Sequence, residues 1–188
     1  MKYYRTFIGL PVKVGERVLE ARRELMESLS GERISWVDPD RYHITLRFLG
    51  DTKITAIYEI GKALYEKVNI PEKLHVPFAR TGSFGPRKRP RVIWVGFGNA
   101  AMFASLKFDV DSALKECGIA SVDQPFRAHL TLGRVRSLKD LQGYYDAIEA
   151  MKDRFNELVL FDKLVFYRSE LGSGGPVYIP LYQMEFKK

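Results

Sequence analysis

The sequence predicts an α+β fold made of two related halves, on three observations. Strand-like and helix-like patterns alternate along the chain. One strand pattern, His-aliphatic-Thr-Leu, occurs twice, as His43-Ile44-Thr45-Leu46 and His129-Leu130-Thr131-Leu132. The composition is that of a packed protein, 46% hydrophobic and 28% charged over 188 residues, which excludes disordered and fibrous classes. That length predicts a single bilobal domain over residues 1–188, with sequence halves near 1–85 and 86–188. Such a chain buries roughly 70% of its unfolded surface without needing disulfides.

The elements follow in order. Residues 3–10 are rich in β-formers and stop at Pro11, a strand. Val18, Leu19, Arg22, Leu25, Met26 and Leu29 recur at helical spacing, so a helix is expected over 16–29, closed by Gly31. Residues 35–37 are short and extended, and Asp38-Pro39-Asp40 is turn chemistry. Residues 42–49 alternate strictly, which puts His43, Thr45 and Arg47 on one face and Ile44, Leu46 and Phe48 on the other. Ile54, Ile57, Ile60, Leu64 and Val68 mark a second helix. A strand over 74–80 precedes a polar loop, 81–91, that carries Arg87-Lys88-Arg89-Pro90-Arg91. Residues 92–97 are a β-branched strand. Phe103, Leu106, Val110, Leu114 and Cys117 mark a third helix, with Gly118 just past its end. A strand over 127–132 carries His129, and a fourth helix is expected over 138–154. Two long strands, 158–169 and 177–186, meet at the Gly172-Ser173-Gly174-Gly175-Pro176 hairpin turn.

Both histidines fall on the second main strand of their half, His43 lying 40 residues after Tyr3 and His129 37 after Val92. Internal duplication accounts for that placement. Alternation turns His and Thr, two apart, to one side of a strand, so two such strands facing each other would line one cleft with two imidazoles and two hydroxyls. A single His-x-Thr is ordinary strand sequence, and the repetition carries the signal. The inventory suits phosphoryl transfer, with one neutral imidazole as base and one protonated imidazole as acid. The threonine hydroxyls are placed to donate to phosphate oxygens. Zinc needs three or four converging ligands. Only His43 and His129 converge and neither motif holds a carboxylate, so no metal and no cofactor are expected. His75 lacks a Thr two residues on and reads as structural or surface.

The two motifs resemble those of the 2H phosphoesterase superfamily, and within it the RNA 2′,3′-cyclic phosphodiesterases, also called 2′-5′ RNA ligases. Phe7-Ile8-Gly9-Leu10, the run from Leu46 to Asp51 and Gly133-Arg134 extend the likeness over nearly the whole chain. The resemblance implies two lobes in pseudo-twofold relation, each an antiparallel sheet backed by helices, with the motifs facing across a central cleft. It implies His43 as proton donor and His129 as proton acceptor. Thr45 and Thr131 would hold the non-bridging oxygens, with Arg134 adding charge. The expected substrate is an RNA ending in a 2′,3′-cyclic phosphate, tRNA fragments included, with reversible 2′-5′ ligation when a 5′-hydroxyl replaces water. The alternatives are a phosphodiesterase for a small cyclic nucleotide phosphate, or a non-catalytic module that binds RNA ends.

The remaining features bear on location and partners. Cys117, the one cysteine, has no partner in the chain, which fits a reducing compartment. The N-terminal apolar run breaks at Arg5 without a signal-peptide pattern. No stretch approaches the roughly 18 apolar residues of a membrane span. A cytoplasmic monomer with no membrane partner is therefore expected. The net charge of +7 suits a polyanionic partner without specifying one. The basic run reads equally as an RNA track and as a solvated loop. Trp36, Phe84 and Phe126 flank the motif segments and suit either base stacking or core packing.

Overall fold

A computed structural model describes residues 2–122 and 125–188. Its strands are β1 (Tyr3–Pro11), β2 (Arg33–Trp36), β3 (His43–Lys53), β4 (Leu74–Phe84), β5 (Val92–Phe97), β6 (His129–Ser137), β7 (Leu158–Phe161), β8 (Lys163–Gly172) and β9 (Gly175–Glu185). Its helices are α1 (Glu16–Ser28), α2 (Ile54–Lys67), α3 (Ala100–Glu116) and α4 (Leu141–Ala150). Two antiparallel sheets result, one in the order β3-β1-β8-β9 and the other β2-β6-β5-β4-β7.

The expected α+β class and antiparallel sheets are present, but the sequence halves and the sheets do not coincide. In each half a first strand pairs with the motif-bearing strand, β1 with β3 and β5 with β6. Other strands cross between the halves: β2 pairs with β6, β4 with β5, and β8 with β1. The helices mix in the same way, α2 packing on α3 and α1 touching α4. One continuous core therefore runs through both lobes, including Ile8, Leu10, Ile44, Ile93, Leu130 and Phe166, all completely buried.

Several element boundaries differ from the periodicity, each for a visible reason. The strand expected at 74–80 runs on to Phe84, because its polar residues have partners on α4: Thr81 Oγ1 donates to the Ile148 carbonyl at 2.9 Å and Ser83 Oγ lies 2.8 Å from Tyr144 Oη. The expected loop shrinks accordingly to 85–91. The helix expected over 138–154 is shorter, since the Asp140 side chain accepts from Gly143 N at 2.9 Å and starts it there. The strand expected over 158–169 is two strands in two sheets, separated at Asp162, whose carbonyl accepts from Phe186 N at 2.7 Å. Helix α1 ends at Ser28, with Leu29 as its cap, before reaching Gly31. Gly118 does follow α3 with φ +74.

The largest departure is inside β3. Thr45 pairs with Gly9 and Arg47 with Ile8, leaving Leu46 as the extra residue of a bulge. The bulge reverses the alternation: Arg47 turns into the interior at 6% exposure, and Phe48 turns out at 50%. The expected grouping of Arg47 with His43 and Thr45 is thus corrected. Arg47 instead reaches α3, with Nη1 3.6 Å from Asp111 Oδ1 and Nη2 donating to the Ala120 carbonyl. Asp111 also pairs with Lys107. Removing one member of a buried pair costs more than never having built it, because the other charge stays in a low-dielectric site. Asp111→Ala, which leaves the buried Arg47 guanidinium without its carboxylate, is therefore expected to lose about 3 kcal/mol. That corresponds to a melting temperature lower by roughly 6–12 °C. Calorimetry checks this, and an unchanged melting temperature would contradict the buried placement.

Candidate active site

The cleft between the sheets is about 530 Å³ and brings together all five residues singled out in the motifs: His43, Thr45, His129, Thr131 and Arg134. Each histidine opens its strand. His43 pairs with Pro11 at the end of β1, and His129 pairs with Gly96 near the end of β5. The two strands share a further device. In β6, Thr131 pairs with Trp94 and Gly133 with Ile93, so Leu132 is a bulge at the position equivalent to Leu46. Strict alternation would put Arg134, an odd number of residues from His129, on the far face. The bulge returns it to the cleft. Its counterpart in the other lobe is Phe48, over which the Arg5 guanidinium lies 5.0 Å from the ring centroid. The site is thus symmetric in its histidines and threonines and asymmetric in its charge.

The two imidazoles are held alike. His43 Nδ1 lies 2.8 Å from the carbonyl oxygen of Arg41, and His129 Nδ1 lies 2.7 Å from that of Arg127. A carbonyl only accepts, so in both rings Nδ1 carries the proton and donates, which leaves Nε2 free for chemistry. Aromatic rings fix the ring planes. Phe7 lies 4.8 Å and Tyr178 5.0 Å from His43, the latter edge-on at 81°. Phe84 meets His129 edge-on at 4.8 Å and itself stacks on Trp94 at 5.0 Å. Gly82 makes room for Trp94, since a Cβ there would sit 2.4 Å from the indole.

Burial lowers the pKa of both histidines below the usual imidazole value, and the Arg134 charge pushes the same way. The bonds to the Arg41 and Arg127 carbonyls oppose that shift. In the free protein near neutral pH both rings are therefore uncharged, and the cleft's positive charge comes from guanidinium groups. An anion entering between the rings would restore imidazolium at either one.

Sequence reasoning missed one wall of the cleft. The β8–β9 hairpin brings Gly174, Gly175, Pro176 and Tyr178 to its rim, where Gly175, at φ +104, packs on Arg41 so closely that a Cβ would lie 2.4 Å from Nη1. Arg41 thus supplies a carbonyl to His43 and a guanidinium to the cleft. Burial raises the Tyr178 phenol, while Arg134, Arg41 and Arg5 counter it. The hairpin was legible as a turn. Its destination was not, because β8 and β9 come from the other half of the chain. Among the expected aromatics, Trp36 and Phe84 line the cleft, but Phe126 lies beside Arg47 and Phe48 in a separate hollow. His75 is exposed on β4.

Known proteins share this fold. A profile of the family described as LigT like Phosphoesterase matches residues 8–94 and 99–178. The chain is 31% identical to the RNA 2′,3′-cyclic phosphodiesterase of Aquifex aeolicus, covering 95% of each sequence. It is 30% identical to the protein of that name from Thermotoga maritima, covering 97% of this chain and 96% of the other. Among solved structures, LigT of E. coli complexed with 3′-AMP superposes with a TM-score of 0.74 over both full chains at 18% identity. TT0787 of Thermus thermophilus gives a TM-score of 0.72 at 23% identity over 97% of each chain.

Proposed function

This chain belongs to the LigT-like phosphoesterase family, and we propose that it opens the 2′,3′-cyclic phosphate at the end of an RNA, leaving a 2′-phosphate and a free 3′-hydroxyl. The observation that carries the reading is the matched pair of histidines. Each is locked by its own backbone in the Nδ1–H form, each opens a strand bulged at the same position, and both line one cleft with two threonines and an arginine.

The reaction follows from those groups. His129 Nε2 takes a proton from water as the water oxygen bonds to phosphorus. The P–O3′ bond breaks, and His43, carrying a proton on Nε2, gives it to the departing O3′. Thr45, Thr131 and Arg134 hold the non-bridging oxygens, where charge accumulates as phosphorus becomes five-coordinate. Those donors balance the phosphate charge without a metal ion. With the same histidine roles, a 5′-hydroxyl in place of water bonds to phosphorus as the P–O3′ bond breaks, giving a 2′-5′ linkage; exchanging the roles re-closes the cyclic phosphate as O3′ expels the 5′-oxygen. The enzyme works as a single bilobal monomer in the cytoplasm, on RNA ends such as those of cleaved tRNA.

His43→Ala and His129→Ala are each expected to slow hydrolysis by at least about a hundredfold. His75→Ala should leave the rate unchanged. The assay is turnover of an RNA ending in a 2′,3′-cyclic phosphate, with the position of the product phosphate identified. A 3′-phosphate product, or His75 proving as sensitive as the other two, would overturn the assignment.

The pH dependence carries a second expectation. The reactive state holds one proton between the two free Nε2 atoms. Burial lowers both imidazoles, so in the free enzyme this state is most populated below about pH 6.5. kcat/KM, which reports the free enzyme, is expected to be bell-shaped with its maximum below that value. The bound phosphate anion favours imidazolium, so the maximum in kcat should lie at higher pH. Both limbs belong to the coupled pair. A kcat/KM maximum above pH 7 would contradict the buried, arginine-flanked setting.

A further inference from the structure

Beside the cleft lies a second groove of about 740 Å³, bounded by the 85–91 loop and by the end of β6. It shares Val92, Arg134 and Arg136 with the cleft, so the two hollows are continuous. Six cationic side chains line it: Lys88, Arg89, Arg91, Arg134, Arg136 and Lys139. Among the described residues, none of the six forms an ion pair. Two acids of the adjoining segments are turned elsewhere. Glu32 accepts from the backbone N–H groups of Lys139 and Asp140 at 2.6 and 2.9 Å, and Asp140 caps α4. Like charges gathered along one groove raise a positive potential that favours an anion there.

The loop is also built, with its backbone fixed at both ends. Arg89 N donates to the Pro86 carbonyl and Arg91 N to that of Phe84, both at 2.7 Å. Val135 N on β6 donates to the Arg91 carbonyl at 2.9 Å. The Tyr145 hydroxyl donates to the Arg87 carbonyl at 3.0 Å. This anchoring sorts the basic run into two groups. Lys88, Arg89 and Arg91 line the groove, whereas Arg87 lies over the Tyr145 ring at 5.9 Å and is not among its lining residues.

We propose that this groove is the track for the sugar–phosphate backbone of the RNA on the 5′ side of the reacting end, an inference that rests on the hydrolytic reading of the cleft. The reacting phosphate is at the end of the strand, so the rest of the strand leads away from the histidines, and the groove opens directly off the cleft. Arg134 and Arg136 lead it from the reacting phosphate to Lys88, Arg89, Arg91 and Lys139. Selectivity for chain over mononucleotide arises there, through phosphate charge and without regard to base.

The test compares wild type with the variant Lys88→Gln/Arg89→Gln/Arg91→Gln/Lys139→Gln, and with Arg87→Gln as a control from the same loop. The probe is a single-stranded RNA ending in a 2′-phosphate, whose affinity is titrated against salt. Each phosphate that a variant no longer neutralises should flatten the log–log slope by about 0.7. The quadruple variant is expected to show that flattening and Arg87→Gln is not. Hydrolysis of a nucleoside 2′,3′-cyclic phosphate by the quadruple variant should equal that of wild type, which also certifies its fold. Equal slopes for wild type and quadruple variant would overturn the proposal. So would a flattening per charge as large in Arg87→Gln, which would mean diffuse attraction, or a matching drop in turnover of the mononucleotide. If wild type leaves an RNA ending in a 2′,3′-cyclic phosphate uncleaved, the hydrolytic reading fails, and the groove as a backbone track is then decided by the slopes.

Discussion

Each of the two histidines is tied to the carbonyl oxygen two residues before it, and the rest of the site depends on that bond. It sets the tautomer, so that Nε2 and not Nδ1 is left free, and it removes a rotation of the ring. The bond forms only because the chain enters each motif strand in the same way, with the residue two before the histidine turned so that its carbonyl meets the ring. A His-x-Thr in an ordinary strand interior would have its carbonyls taken up by the ladder.

Two imidazoles so fixed are useful only if the sheets carrying them stay in one relation. The crossing of β4 and β8 provides this. Each sheet contains two strands from the opposite half, β8 and β9 in one and β2 and β4 in the other, so the lobes share a core instead of hinging on a linker. The bulges at Leu46 and Leu132 then use the same local twist for opposite ends. In β3 the bulge drives Arg47 inward to Asp111 and anchors α3, and in β6 it delivers Arg134 to the cleft. The same irregularity thereby serves a structural ion pair in one lobe and a cleft-lining guanidinium in the other.

Sequence periodicity made much of this legible. Alternation around His43 and His129 was strong enough to identify both strands, and the repetition pointed to a shared cleft. The strand over 92–97 and helix α2 lie where the apolar spacing puts them. What escaped has a common cause, for periodicity describes one element at a time. A bulge looks like continued alternation, so Arg47 and Phe48 were assigned to the wrong faces. Thr81 and Ser83 look like loop residues until α4 supplies their partners. The single long strand expected at 158–169 divides because its two ends serve different sheets, a choice that depends on the whole topology. The roles of Arg41, Gly175 and Tyr178 stayed hidden for the same reason.

The central claim is that both histidines present Nε2 to one phosphate, each held by Nδ1–H on its own backbone. Long-range ¹H–¹⁵N correlation spectra of the protein, at a pH where both rings are neutral, test it most directly. The expected result is a protonated Nδ1 and an unprotonated Nε2 in each ring, with a joint shift of both Nε2 signals towards the protonated form when a nucleoside 2′-monophosphate binds. An Nε2–H tautomer in either histidine of the free protein, or a response confined to one ring, would contradict it.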